Sequence, residues 1–171
     1  HLRAVDVRLT ATAGSRRAAR QTLARLEAAL RRRLGPVVYG ADDETLEGVV
    51  GSLLASRRKT LAVAESCTGG LLADRITDVP SSSRYFLGGL VAYHNDVKRG
   101  SLGVPAEMLE QFGAVSAQTA KAMADGVRQW AGASLGLAIT GIAGPTGGSA
   151  RKPVGLVYVA LSNGRRRLAQ R

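Results

Sequence analysis

Ser66 and Cys67 stand side by side in Ala64-Glu65-Ser66-Cys67-Thr68-Gly69-Gly70, where an apolar run gives way to a helical spacing. A hydroxyl or a thiol at such a turn can serve as a nucleophile. Leu61 to Ala64 has the length of a buried strand, and Leu71 to Ile76 takes up a helical period. Thr68 can cap that helix, while Gly69 and Gly70 let the backbone approach a ligand closely. Free N–H groups and the helix dipole would then favour developing negative charge. A helix start activates thiols as well as hydroxyls, so spacing alone does not choose between Ser66 and Cys67. A small buried cysteine packed behind the serine is the commoner circumstance. An ordinary turn of small residues fits the same letters.

Two further strand ends carry polar groups. Gly88-Gly89-Leu90-Val91-Ala92-Tyr93-His94-Asn95-Asp96-Val97-Lys98 passes from a glycine-weakened strand into a helix capped by Asn95 or Asp96, with Lys98 in its first turn. A lysine against the positive end of a helix, especially a partly buried one, has a lowered pKa and offers a neutral amine as a general base. Tyr93 can relay or orient the proton; a surface tyrosine and a solvated lysine are the plainer alternatives. The loop after Ala138-Ile139 holds Thr140, Gly141, Gly144, Gly147 and Gly148, followed by Lys152. Such a loop can gather backbone N–H groups around a phosphate or oxyanion, and Lys152 can close over an anion or face water. Its spacing matches neither a Walker loop nor GxGxxG. With only His1 and His94 in the chain, a Ser-His-Asp arrangement would rest on His94, and no HExxH zinc site can form.

These residues need elements to hold them. The 171 residues allow one core of normal size and a small appendage. Hydrophobic content of 45% and no apolar run near the roughly 20 residues of a membrane span indicate a globular chain. One cysteine excludes a disulfide framework and fits a reducing, cytoplasmic setting. A boundary falls near residue 40. Before it, Val5, Val7 and Leu9 alternate as a strand, Ser15 caps a helix to about Leu34, Gly35-Pro36 ends it, and Val37-Val38-Tyr39 reads as a second strand. This small β-α-β unit holds nine arginines against Asp6 and Glu27, whereas residues 41–164 hold as many acids as bases. The basic character is an end effect, which speaks against nucleic acid as a partner of the larger part.

After it, Asp42-Asp43-Glu44 opens a helix as caps rather than metal ligands. Strands at 60–65, 86–93, 135–142 and 155–162 then alternate with helices at 69–78, 95–112 and 116–131. The order predicts an α/β fold: a three-layer α/β/α domain around a mixed, largely parallel sheet, with ligands bound beyond the carboxyl ends of strands.

Four ordered segments together carry a family likeness. They are Ala64 to Gly70, Tyr93 to Lys98, Gly113-Ala114-Val115-Ser116, and Thr140 to Pro145 with Gly147-Gly148 and Lys152-Pro153-Val154-Gly155. In these the chain resembles the C-terminal domain of the CinA family, and residues 1–40 are similar to the small linking domain that precedes it. The resemblance implies a nicotinamide mononucleotide deamidase, a metal-independent amidohydrolase without cofactor, acting as a homodimer. It places the serine nucleophile on Ser66 and the tyrosine and lysine on Tyr93 and Lys98. Backbone N–H groups after Ser66 (Cys67, Thr68, Gly69, Gly70) become candidates for an oxyanion hole. Asn95, the Thr140 to Gly148 loop and Lys152 become candidates for substrate contacts.

The chain starts with His1 and stops at Arg171, so it reads as a fragment. By the resemblance, residues 41–171 lack the domain's last strand and helix. An alternative of another class is a catalytically silent interaction or nucleic-acid-associated module whose working surface is the basic segment 1–40.

Overall fold

A computed structural model of the chain describes residues 5–171, which fall into two compact units divided in sequence between Leu46 and Glu47. The first unit is built on helix α1, Arg16–Leu34. Ser15 accepts the Ala18 N–H at 3.2 Å as its cap, and Gly35, in the left-handed region at φ 63, turns the chain out of it. The two expected strands beside it are absent. Residues 5–13 form no ladder, and Val37 belongs to a 3-10 turn, Gly35–Val37, with Val38 and Tyr39 irregular. Val5, 85% exposed, and Val37, 72% exposed, bury almost nothing, and two short strands without a covered face gain too little to pair. The β-α-β unit therefore reduces to one helix with irregular flanks among the described residues.

The second unit begins with α2, Leu46–Ser56. The acidic cluster precedes this helix instead of opening it. Asp42 sits in the left-handed region at φ 54, and the Glu44 carboxylate accepts the Ala41 N–H at 2.9 Å. There follow β1 (Leu61–Glu65), α3 (Leu71–Thr77), β2 (Phe86–Val91), α4 (Asn95–Leu102), α5 (Ala106–Phe112), α6 (Ala117–Trp130), β3 (Leu135–Gly141), β4 (Val157–Ser162) and β5 (Arg167–Gln170). The single stretch expected over 95–112 breaks where Gly103, at φ 64, closes α4 and Pro105 starts α5.

The strands form one mixed sheet in the order β2-β1-β3-β4-β5, parallel across β2, β1 and β3 and antiparallel across β3, β4 and β5. On one face Ala62, Ala64, Ala138 and Ala160 lie under Ala120, Met123, Ala124 and Val127 of α6. Small residues make this approach close: a Cβ at Gly136 would run into the Ala124 carbonyl, and one at Gly126 into that of Leu102. The second contact presses α6 onto α4, the helix that carries Lys98. On the other face Leu54, Leu61, Val63, Ile76 and Tyr85 form a smaller core. There α3 reaches β1 and β2, while Val159, Leu161 and Leu168 on β4 and β5 are exposed.

The strand expected to be missing after β4 is present as β5, registered with Leu168 opposite Leu161. Buried Asp125 on α6 holds it there. Its carboxylate accepts from Ser162 at 2.7 Å, Arg167 at 2.7 Å, Gln129 at 3.1 Å and Arg128 at 3.2 Å. Burial pushes the Asp125 pKa up, but the bonds from Ser162, Arg167 and Arg128 outweigh it and hold the group below the ordinary carboxylate range. Such a group stabilises the fold above its unfolded pKa and ceases to do so as pH falls through the folded value. Asp125→Asn is accordingly expected to cost on the order of 2 kcal/mol at pH 7, with the gap to wild type closing below about pH 4. Urea denaturation of both proteins across this range checks it.

Candidate active site

Ser66 follows the last residue of β1, and its N–H donates to the Ile139 carbonyl at 3.0 Å. The serine is thus still in register with β3 when the chain turns. Ser66 is 8% exposed. Next to it, β2 ends and α4 begins at a cap made by His94, whose Nδ1 accepts the Asp96 N–H at 3.3 Å. Neither Asn95 nor Asp96 caps the helix. One turn in, Lys98 is the largest fully buried side chain, and its Nζ lies 3.2 Å from Ser66 Oγ.

The ammonium position has no carboxylate partner among the described residues. Lys98 Nζ instead donates to the carbonyls of Ala92 at 2.7 Å and Tyr93 at 2.9 Å. A neutral amine has two N–H groups and one lone pair. With both N–H groups on carbonyls, the lone pair is left for the Ser66 hydroxyl. Burial pushes the Lys98 pKa below the usual lysine range, only partly opposed by Cys67. The lowering expected from the helix start therefore has burial without a counter-charge as its main cause.

The amino end of α3 differs from expectation. The Glu65 carboxylate, itself buried, accepts the N–H groups of Gly70 at 3.1 Å, Leu72 at 3.0 Å and Ala73 at 2.8 Å. The Gly69 N–H donates to the Ser66 carbonyl at 3.2 Å. Two of the four proposed oxyanion donors are thus occupied. The Thr68 N–H has no partner among the described residues, and the Cys67 N–H meets only its own thiol. Thr68 Oγ1 is also buried without a partner, so it does not cap α3. Burial pushes the Cys67 thiol up, and Sγ packs against Gly141, where an added Cβ would sit 2.9 Å away. The thiol faces a strand backbone; the amine faces the hydroxyl.

The remaining candidates divide. The Tyr93 side chain is 73% exposed, and only its carbonyl touches Lys98. Asn95 is exposed at the start of α4. Thr140 is buried and donates to the Ala114 carbonyl at 2.8 Å, a buttress for the segment before α6. Lys152 is half-buried, and its Nζ donates to the Phe112 carbonyl at 2.6 Å, tying the glycine-rich loop to the carboxyl end of α5. Gly144 and Gly148 let the loop fold against Val154, and the N–H groups of Gly144, Gly147 and Gly148 have no partner among the described residues. Sequence reasoning missed Glu65 as a clamp, although an acid ending a buried apolar strand had to find donors somewhere. It also missed the Ala92 and Tyr93 carbonyls, which no residue type announces.

Two open clefts lie elsewhere: one of about 490 Å³ along Arg16, Arg17, Arg20, Gln21 and Ala24, and one of about 530 Å³ beside Asp96, Arg99 and Gly103. Neither is lined by Ser66. Among the described residues no helix is long and apolar enough to cross a membrane.

Residues 43–171 match the model of the CinA C-terminal domain. The chain belongs to the CinA family. Residues 1–40 match the damage-inducible protein CinA KH domain, although no GxxG occurs there for the nucleotide-clamping loop of nucleic-acid-binding KH modules. The chain is 59% identical over 157 residues to a putative competence-damage inducible protein of Moorella thermoacetica, covering 92% of this chain and 38% of that one. A relative of the same description from Desulforudis audaxviator is 62% identical over 138 residues, covering 81% and 33%. The chain thus spans about a third of the length of these curated relatives. Among solved structures it is similar to the competence/damage inducible protein CihA from Agrobacterium tumefaciens, with TM-score 0.72, 43% identity, and 78% and 81% of the two chains covered. A CinA superfamily protein from Escherichia coli gives TM-score 0.70, 33% identity, and 78% and 79%. These solved CinA structures share the α/β fold.

Proposed function

We propose that the chain hydrolyses the carboxamide of nicotinamide mononucleotide to nicotinate mononucleotide and ammonia through an ester of Ser66. The observation that carries this is a buried, carboxylate-free Lys98 amine 3.2 Å from Ser66 Oγ. The amine takes the hydroxyl proton as Oγ bonds to the carboxamide carbon, and the carbonyl oxygen becomes an oxyanion facing the Cys67 and Thr68 N–H groups. The proton then passes from Lys98 to the nitrogen, the C–N bond breaks and ammonia leaves. Water next attacks the ester carbon and gives its proton to Lys98. The C–Oγ bond breaks and the proton returns to Ser66, leaving the carboxylic acid, which ionises to the carboxylate by giving its proton to solvent or the released ammonia. Tyr93 enters through its carbonyl, which holds the amine. The unpartnered N–H groups of Gly144, Gly147 and Gly148 suit the substrate's phosphate.

Ammonia and nicotinate mononucleotide, measured together in the presence of a chelator, test the reading; both are expected in equal amounts. The family resemblance adds a homodimer, for which sedimentation should give twice the chain mass. The silent-module reading has the arginine-lined cleft of α1 in its favour. It predicts no ammonia, together with salt-sensitive binding of nucleic acid.

A further inference from the structure

Glu65 is a buried acid, 1% exposed, one residue before the nucleophile, and the mechanism above does not use it. Its main chain is fixed by the sheet: the Glu65 carbonyl accepts the Ala92 N–H at 2.7 Å, and the Ala92 carbonyl in turn accepts from Lys98. Its side chain reaches forward over the turn to the N–H groups of Gly70, Leu72 and Ala73. Both carboxylate oxygens act as acceptors. The segment Ser66 to Gly69 is therefore a loop closed at both ends by one residue.

We propose that Glu65 is a positioning residue of this site: its carboxylate, rather than any part of the substrate, occupies the amino end of α3, which fixes the Ser66 to Thr68 turn and leaves only the Cys67 and Thr68 N–H groups to face an oxyanion. The inference rests on the deamidase reading for its catalytic consequence and on geometry alone for its structural one. Two consequences follow. The substrate's phosphate binds away from α3, because a carboxylate already holds that position and would repel it. Burial is the main cause that keeps the Cys67 thiol protonated, and of the two charged groups whose fields reach it Glu65 disfavours the thiolate and Lys98 favours it. Glu65 thereby helps keep the thiol protonated beside a serine that has a base.

In Glu65→Gln the amide N–H₂ faces N–H donors, so at least one of the three bonds is lost while the volume is kept. The full chain and this variant are compared in three ways. Amide hydrogen exchange on wild type is expected to show Gly70, Leu72 and Ala73 exchanging at least about tenfold more slowly than Cys67 and Thr68. Alkylation of Cys67 by iodoacetamide across pH is expected to shift to lower pH in the variant, with a roughly threefold faster rate at neutral pH. With nicotinamide mononucleotide, kcat is expected to fall about 10²-fold while KM stays within about twofold. The first two measurements need no substrate, so they stand even if the chain proves not to be a deamidase. Equal exchange at all five amides would overturn the proposal, and so would a variant with wild-type alkylation and wild-type kcat. The exchange measurement decides the matter should the variant fail to fold.

Discussion

Ser66→Ala is expected to lower kcat/KM for nicotinamide mononucleotide by about 10³-fold or more, while Cys67→Ala stays within about tenfold of wild type. The two side chains are neighbours in sequence but not in environment. Ser66 Oγ meets the Lys98 amine at 3.2 Å, whereas Cys67 Sγ packs on the Gly141 backbone, with burial pushing its pKa up. A protonated thiol that is not hydrogen-bonded to the Lys98 amine is a poorer nucleophile than the serine that is. The modest loss expected in Cys67→Ala comes from the packing it provides behind Gly141. Steady-state kinetics on both variants check this, and a Cys67→Ala enzyme as dead as Ser66→Ala would reverse the assignment.

Lys98→Met is expected to remove roughly 10²- to 10⁴-fold of activity, the usual range for a general acid–base group. In wild type, activity should rise with pH as Lys98 loses its proton, and burial brings that rise down from the ordinary lysine range. The same group leaves a signature in stability. Between its lowered folded pKa and the unfolded value near about 10.4, the unfolded chain binds a proton that the folded chain does not, so wild-type stability rises with pH across that window. Met carries no such dependence. The stability of Lys98→Met relative to wild type should therefore be greatest near neutral pH and decline as pH approaches about 10. The loss of donors to the Ala92 and Tyr93 carbonyls lowers the whole curve of the variant without changing that slope. Denaturation midpoints of both proteins from pH 7 to 10 measure it.

The central sheet was legible because its strands are continuous apolar runs between glycine-rich ends, which puts Leu61 to Ala64 in the core and leaves β3 alternating between half-buried Leu135 and Leu137 and buried Gly136 and Ala138. Ser66 and Lys98 were legible too, one at a strand end and the other at a helix start. Burial was what the pattern could not supply. Val5, Val7 and Val37 alternate or cluster as strands do, yet they stay exposed, and without a covering layer their apolar faces gain little by pairing. β5 was hidden behind Arg165-Arg166-Arg167, a basic run whose last member is drawn in by Asp125 from 42 residues away. Tyr93 was identified by its hydroxyl, whereas its carbonyl touches Lys98, and backbone atoms have no letter in a sequence. Glu65 lies inside the motif itself, and its role depends on the turn bringing Gly70, Leu72 and Ala73 back over it.

The acyl-enzyme is the most direct test. The chain is mixed with nicotinamide mononucleotide, quenched in acid within the first turnover, digested, and its peptides are analysed by mass spectrometry. The account predicts the nicotinate mononucleotide acyl group on Ser66, formed with one equivalent of ammonia and absent in Ser66→Ala. The same acyl group on Cys67, or a full equivalent of ammonia released with no modified peptide at any quench time, would contradict it.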